Sequence, residues 1–386
     1  MNILLFSRGY PSAKDPQWGC FERDQAKALQ KLGHKVIVMS VDGRCRFYSR
    51  KLGVSYINDN GIDVYNIYIL PFKLLIPLGY KLRLYIWRKI ALYLFEKYIK
   101  QHVKIDLIYA HYLTNIYLAA SIKEIYEIPV VGIEHWSMLN RIKLPSYVRE
   151  MGEFGYRNAD QLISVSNSLR LSIQSHFGTD SIVIHNMVNG DFFLNAIPKK
   201  RTINIGDKIT IVAVGSLFYG KGYDVLIKAF AQTKLYENGS KVIIIGDGNE
   251  KRKLSKLIEK LKLENNIFLL GRKDRTEILK ILYSGDLFVH PSRGENFSVA
   301  IIEALSTGLP VVATQCGGAS ECINQKNGVL VPIDNIDALA KAILFVYNGI
   351  NEYDSNYIAN ECKSKYSSDV IAKQLNDVFV NIIGVK

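Results

Sequence analysis

Two glutamates stand in the run His290-Pro-Ser-Arg293-Gly-Glu295-Asn296-Phe297-Ser298-Val-Ala-Ile-Ile-Glu303-Ala-Leu-Ser-Thr-Gly308-Leu-Pro310. An apolar stretch ends at His290 and a polar loop follows. Helical periodicity then starts near Ser298 and closes before Gly308. Free amides at such a helix start, around Phe297–Val299, form an anion site. Glu303 falls five residues into the helix, roughly 7 Å past its start at 1.5 Å per residue. Ionised carboxylates accept hydrogen bonds from sugar hydroxyls. A nucleoside diphosphate sugar would fit along this element, with its sugar at Glu295, its diphosphate at the helix start and its ribose at Glu303. The alternative for Glu303 is an exposed helical glutamate, although Ile301, Ile302, Ala304 and Leu305 surround it.

Three glycine loops accompany this run. Gly215-Ser216-Leu-Phe-Tyr-Gly-Lys221-Gly222 follows a strand pattern and opens a helical one. A helix start disfavours a cation, so Lys221 either meets a phosphate or is a solvated lysine kept at some local cost. Gly246-Asp-Gly248 alone reads as no more than a tight connection. Thr314-Gln-Cys-Gly317-Gly318-Ala-Ser-Glu321 is either a structural turn or a phosphate nest of successive glycine amides.

The elements that must hold these loops alternate along the chain. Apolar, β-branched runs predict strands at Asn2–Ser7, Lys35–Val41, Ile62–Ile69, Asp106–Ala110, Val130–Glu134, Gln161–Val165 and Ile182–His185. Helical periodicity lies between them, as in Phe21–Leu32 and Asn115–Tyr126. A second series predicts strands at Thr210–Val214, Lys241–Ile245, Asn266–Leu269, Leu287–His290, Val311–Ala313 and Gly328–Val331. Its helices are Tyr223–Lys234, Glu250–Leu261, Arg275–Tyr283, Val299–Ser306 and Ile336–Tyr347. Such alternation predicts α/β architecture with parallel sheets covered on both faces. Two doubly wound domains are expected, residues 1–190 and 205–367, with a linker at 191–204. Ligands of such sheets bind beyond the carboxyl ends of the strands, so two sheets facing a deep cleft would each offer one ligand face.

Composition narrows the field. Of 386 residues, 48% are apolar and 22% charged, which excludes a mainly disordered chain or a fibre. No run of about 18 apolar residues suggests a spanning helix, and the first residues do not read as a signal peptide. Five cysteines (Cys20, Cys45, Cys316, Cys322 and Cys362) include no CxxC pair, so neither a disulfide framework nor a zinc site is indicated. A cytoplasmic location is expected. The formal net charge is +13, which favours phosphate-bearing partners. No zinc finger, RNP-type strand or basic heptad array points to nucleic acid. Residues 72–104 interleave eight Lys or Arg with aromatics against one acid, Glu96. This segment suits an anionic membrane surface, or else is a core helix with a wet basic face.

GxL-x3-KG, GDG, PSRxExF-x5-EALxxGLPVVAT and GG-x2-E together resemble the nucleotide-binding domain of the GT-B glycosyltransferases. More narrowly they are similar to family 4, a group of retaining nucleotide-sugar transferases. The likeness is strong over residues 209–332. In the first half, Trp18-Gly19-Cys20-Phe21, His111, Glu134-His135, Asp160-x3-Ser164 and Val183–Asn186 look like the family's pattern. Residues 368–383 look like its closing helix, which returns to the first domain. The resemblance implies two Rossmann-like domains and transfer of a sugar to a hydroxyl acceptor, such as a lipid-linked or surface-polysaccharide glycan. It implies catalytic roles for Glu295, Lys221 and His135, with Glu295 at the donor sugar and Lys221 at the leaving diphosphate. Glu303 would bind the ribose, and Gly19 would close over the β-phosphate. Ser216, Gly222, Arg272, Asn296, Phe297, Ser298, Gly317 and Gly318 would complete the donor site, with Arg272 near the base.

Two departures matter. The family often has Arg where Ser216 stands, so one cation is missing, for which Arg293 or Arg272 would have to substitute. Trp18 replaces the first glycine of the family's Gly-Gly loop. No Asp-x-Asp occurs, so metal clamping of the phosphates has no support, and no metal or cofactor is expected. Lys221, the helix amides and the glycine nest would supply the preorganised positive field instead. The competing readings are a nucleotide-sugar epimerase, for which no elimination acid/base set is found, and a non-catalytic partner subunit.

Overall fold

The computed structural model describes residues 1–44, 51–70, 79–193 and 202–384. The chain divides into two units, Met1–His185 with Ser368–Lys386, and Asn186–Ser367. The change of unit falls at Asn186. Gly190–Phe193 form a 3-10 turn in the second unit, with Phe192 buried. Residues 194–201 of the expected linker lie outside the described residues, as do Cys45 and residues 72–78.

The first unit runs β1 (Asn2–Ser7), α1 (Cys20–Lys31), β2 (Lys35–Asp42), β3 (Gly53–Asp59), β4 (Ile62–Tyr68), α2 (Gly79–Leu94), β5 (Leu107–His111), α3 (Tyr112–Tyr126), β6 (Val130–Glu134), α4 (Ser146–Asn158), β7 (Gln161–Ser164), α5 (Asn167–Phe177) and β8 (Ile182–Val183). The sheet order is β3-β4-β2-β1-β5-β6-β7-β8. The direction of progression reverses between β1 and β5, where Leu4 pairs in register with Ile108. Ile3, Leu4, Leu5 and Phe6 are wholly buried, as a central parallel strand covered on both faces requires.

This parallel sheet carries one antiparallel edge strand. β3 pairs antiparallel with β4 through Asn60-Gly61, both at positive φ (54° and 90°). Two successive left-handed residues make the tight hairpin turn that Asn-Gly favours. The half-exposed β3 forms the sheet edge.

The second unit runs β9 (Thr210–Val214), α6 (Tyr223–Thr233), β10 (Lys241–Ile245), α7 (Lys251–Lys260), β11 (Ile267–Leu269), α8 (Arg275–Ser284), β12 (Leu287–His290), α9 (Val299–Ser306), β13 (Val311–Thr314), α10 (Ala319–Cys322), β14 (Gly328–Val331), α11 (Ile336–Asn348) and α12 (Ser355–Tyr366). Its sheet is fully parallel, in the order β11-β10-β9-β12-β13-β14. The order reverses between β9 and β12, and a ligand crevice is expected at their carboxyl ends. The helices start where capping chemistry dictates. Asp274 and Glu277 form a reciprocal capping box on α8, and Asn335 caps α11. Ile211, Phe230, Ile244, Leu287 and Ile343 sit in one buried core.

After α12 the chain returns to the first unit as α13 (Ser368–Gly384), the expected closing helix. Phe379 is buried edge-on to Tyr109, 5.1 Å between ring centroids. Lys31 pairs with Asp369 at 2.9 Å.

Candidate functional site

In the second unit, the loops after β9, β10, β12 and β13 meet backbone to backbone. Gly222, at φ 68°, ends a 3-10 turn and caps α6. A Cβ there would stand 1.9 Å from the Pro291 carbonyl oxygen. A Cβ on Gly246 would meet the Gly215 oxygen at 1.9 Å, and one on Gly248 the Leu217 oxygen at 2.4 Å. The Gly246-Asp-Gly248 turn therefore docks the neighbouring loop. Gly317, at φ 51°, leaves only 1.7 Å between a would-be Cβ and the Glu295 oxygen. The next amide, of Gly318, donates to the Asn296 carbonyl at 2.7 Å.

This docking brings three predicted or neighbouring side chains together. Lys221 donates to the Glu295 carboxylate, and His290 Nε2 stands 3.5 Å from the same oxygen, Glu295 Oε1. Burial pushes the Glu295 carboxyl up, but His290 and Lys221 outweigh it and hold it down to about 2. Glu295 is therefore a carboxylate at neutral pH. Lys221, expected at a phosphate, is here the counter-ion of Glu295. His290, at the end of β12, is not among the residues expected from sequence, because one histidine after a strand carries no signal of its own.

Arg293, one of the two candidates for the cation missing at Ser216, is already paired in this structure. Its guanidinium is gripped by both oxygens of Asp224 at 2.9 Å and by Asp334 at 2.6 Å, and it lies over the Tyr219 ring. Arg272 is exposed in the loop after β11, and Ser216 is exposed too. Ser298 caps α9 without a side-chain hydrogen bond. Asn296 and Phe297 are buried in the loop before it, and Glu303 is half-buried one turn into α9.

In the first unit, a second group gathers at the carboxyl ends of β1, β5 and β6. Gly19, at φ 77°, caps α1, and a Cβ there would meet the Gly9 oxygen at 2.2 Å. Trp18 gives this loop its own shape: its indole donates to the Arg8 carbonyl at 3.1 Å, and the Arg8 guanidinium faces its ring. Arg8 also pairs with buried Glu22 at 2.9 Å and lies 3.7 Å over Tyr112. The rings of His111 and His135 are parallel, 5.5 Å apart. Burial and Arg8 depress the His111 imidazole to about 3, so it is neutral. Arg8, Glu22 and Tyr112 are additions that the sequence did not single out. The signal for Arg8 is its place directly after β1, where ligand loops begin.

Glu134 ends β6 wholly buried. Burial pushes its carboxyl up to about 7, against hydrogen bonds from Tyr156 and the amides of Trp136, His135 and Leu113. A carboxyl raised above its unfolded value stabilises the fold at low pH, and that stability is lost as pH rises through about 7. Glu134→Gln should therefore flatten the fall in unfolding midpoint between roughly pH 5 and 7.5. Equal slopes in the two proteins would contradict this.

α2 continues into a π-helical turn, Phe95–Lys100. Lys81, Tyr85, Lys89, Tyr93, Lys97 and Lys100 are exposed and follow one another at three- and four-residue steps, each next to the one before it. Lys89 lies over Tyr85 and Lys97 over Tyr93. Arg88 instead pairs with Glu124 at 2.7 Å and covers Phe154. Among the described residues, no helix is long and apolar enough to cross a membrane.

Residues 23–192 match Glycosyltransferase Family 4, and residues 196–362 match Glycosyl transferases group 1. The chain is 28% identical to glycosyltransferase MJ1607 of Methanocaldococcus jannaschii, covering 98% of each. It is 29% identical to a phosphatidylinositol N-acetylglucosaminyltransferase component from Arabidopsis thaliana, over 92% of this chain and 76% of that one. Anabaena HepE in complex with UDP shares the fold at a TM-score of 0.73 and 21% identity, over 99% of this chain and all of that one. The chain belongs to the GT-B glycosyltransferases and resembles family 4 along both halves.

Proposed function

We propose that the chain transfers a sugar from a nucleoside diphosphate sugar to a hydroxyl acceptor, with retention at the anomeric carbon and without a bound metal. The carrying observation is the Lys221–Glu295–His290 group, set where four glycine-dependent loops converge at the sheet's switch point. As the bond to the leaving diphosphate breaks, negative charge grows on that group, and Lys221 is the mobile cation at hand. Glu295, freed from Lys221, would accept hydroxyls of the donor sugar, and Glu303 those of the ribose. The amides of Ser298, Gly317 and Gly318 would face phosphate and Arg272 the base, while His135 is the catalytic residue proposed in the first unit. HepE, solved with UDP, supports a nucleotide donor.

A panel of nucleoside diphosphates and their sugars tests this reading. Members with the right base should raise the Tm, and product NMR should show the donor's anomeric configuration. A folded chain stabilised by no member would instead be the non-catalytic subunit. Glu303→Ala should weaken nucleoside diphosphate binding about tenfold or more, since a charged hydrogen bond is worth about 1.5–3 kcal/mol. Unchanged affinity by calorimetry would remove Glu303 from the site.

The acceptor is proposed to be a lipid-linked or surface-polysaccharide glycan, met at the inner face of the cytoplasmic membrane. The Lys–Tyr stripe of α2 supports this, as does a relative named for phosphatidylinositol. Changing Lys81, Lys89, Lys97 and Lys100 to Ser should abolish sedimentation with anionic vesicles, each lysine contributing about 1 kcal/mol near the surface. Equal sedimentation of the wild type with neutral and anionic vesicles would refute the contact.

A further inference from the structure

We propose that Glu134 is the positioning residue for His135: its buried carboxylate clamps the turn after β6 and so fixes where the imidazole stands. What His135 does there rests on the transferase reading above, whereas the clamp stands on geometry alone. Glu134 Oε1 accepts the amides of both His135 and Trp136 at 2.8 Å. Oε2 accepts the Tyr156 hydroxyl from α4 at 2.7 Å. One carboxylate thus ties the end of β6, the turn after it and a packed helix together. Among the described residues, its partners are hydrogen-bond donors and not a cation. Burying an acidic side chain without a counter-ion is costly, more than capping a plain turn demands.

The ring carried by that turn has little slack. His135 lies parallel to His111, the planes 4° apart, and 4.9 Å from the Tyr112 ring. Tyr112 is itself held at φ 67°, a strained conformation that persists only where the surroundings impose it. The end of β5 and the first residue of α3 therefore supply the platform, through His111 and Tyr112, and β6 supplies the anchor, through Glu134.

Length separates this role from charge. Glu134→Gln keeps an oxygen in place for both amides, whereas Glu134→Asp is one methylene too short to reach them. The full chain is compared by NMR of the His135 ring, by nucleoside diphosphate calorimetry and by turnover. Gln should retain the wild-type ring resonances and kcat. Asp should shift the resonances and lower kcat about ten- to a hundredfold, as a displacement on the order of 1 Å can, with nucleotide affinity unchanged. Wild-type resonances in the Asp variant, or an equal shift in Gln and Asp, would overturn the proposal. Should Asp unfold the chain, Tyr156→Phe decides, since it removes one anchor only: a smaller shift of the His135 ring supports the clamp and none overturns it. Because the NMR readout needs no turnover, a wild type that binds no nucleotide would sink the transferase reading and still leave the clamp to be judged.

Discussion

Lys221→Ala is expected to cut turnover by on the order of a hundred- to a thousandfold while nucleoside diphosphate affinity falls far less. The asymmetry follows from where Lys221 stands. Its ammonium is already neutralised by Glu295, so ground-state binding of a nucleotide must first draw it from that partner. Only charge that grows during bond breaking rewards the exchange in full, and such interactions act on kcat. Lys221→Ala also strips Glu295 of its nearest cation, leaving His290 alone beside it. Glu295→Gln separates the two losses: it keeps the shape, releases Lys221 and removes the charge facing the sugar. It should bind nucleoside diphosphate at least as well as wild type yet turn over the nucleotide sugar poorly. Equal losses of affinity and kcat in Lys221→Ala would place Lys221 at the ground-state phosphate instead. Unchanged kcat would remove it from the chemistry.

Gly317→Ala should be the most damaging single methyl in the second unit. The added carbon would stand 1.7 Å from the Glu295 carbonyl oxygen, on a residue at φ 51°. Backbone cannot yield as a side chain can. Left-handed strain plus overpacking cost about 2–4 kcal/mol. A unit of this size then loses on the order of 5–10 °C in Tm. Any relief must push the loop after β12 away, carrying Glu295 with it, so nucleotide-sugar turnover should be lost even below the melting range. Gly294→Ala is the internal control, because a Cβ there meets nothing within 4 Å. Equal Tm and turnover in the two variants would mean that the loops do not depend on this close approach.

The strands are legible in the sequence because buried parallel strands are short continuous apolar runs. β1, β6, β9, β10, β12 and β14 fall on the expected residues. β3 is not legible in the same way, because Gly53-Val-Ser-Tyr-Ile-Asn-Asp alternates polar and half-exposed residues at an edge, although Asn60-Gly61 marks its turn. Helices α4, α5 and α12 are not among the expected elements, and none of them opens from a glycine loop at a strand end. Glycines reveal which loops matter but not why. Gly246 and Gly248 serve backbone packing, as does Gly317, and spacing cannot distinguish that from phosphate contact. The pairing of Lys221 with Glu295 spans 74 residues and has no local signature. The capture of Arg293 by Asp224 and Asp334 is equally non-local.

Protein groups of the second unit are expected to bind a nucleoside diphosphate without metal. Titration calorimetry of the wild type with UDP, GDP, ADP and dTDP in EDTA tests this most directly. Saturable one-to-one binding of at least one of them is expected, unchanged by magnesium, weakened in Glu303→Ala and absent in Gly317→Ala. Binding that appears only when magnesium replaces EDTA, or no binding of any of the four by the folded wild type, would contradict it.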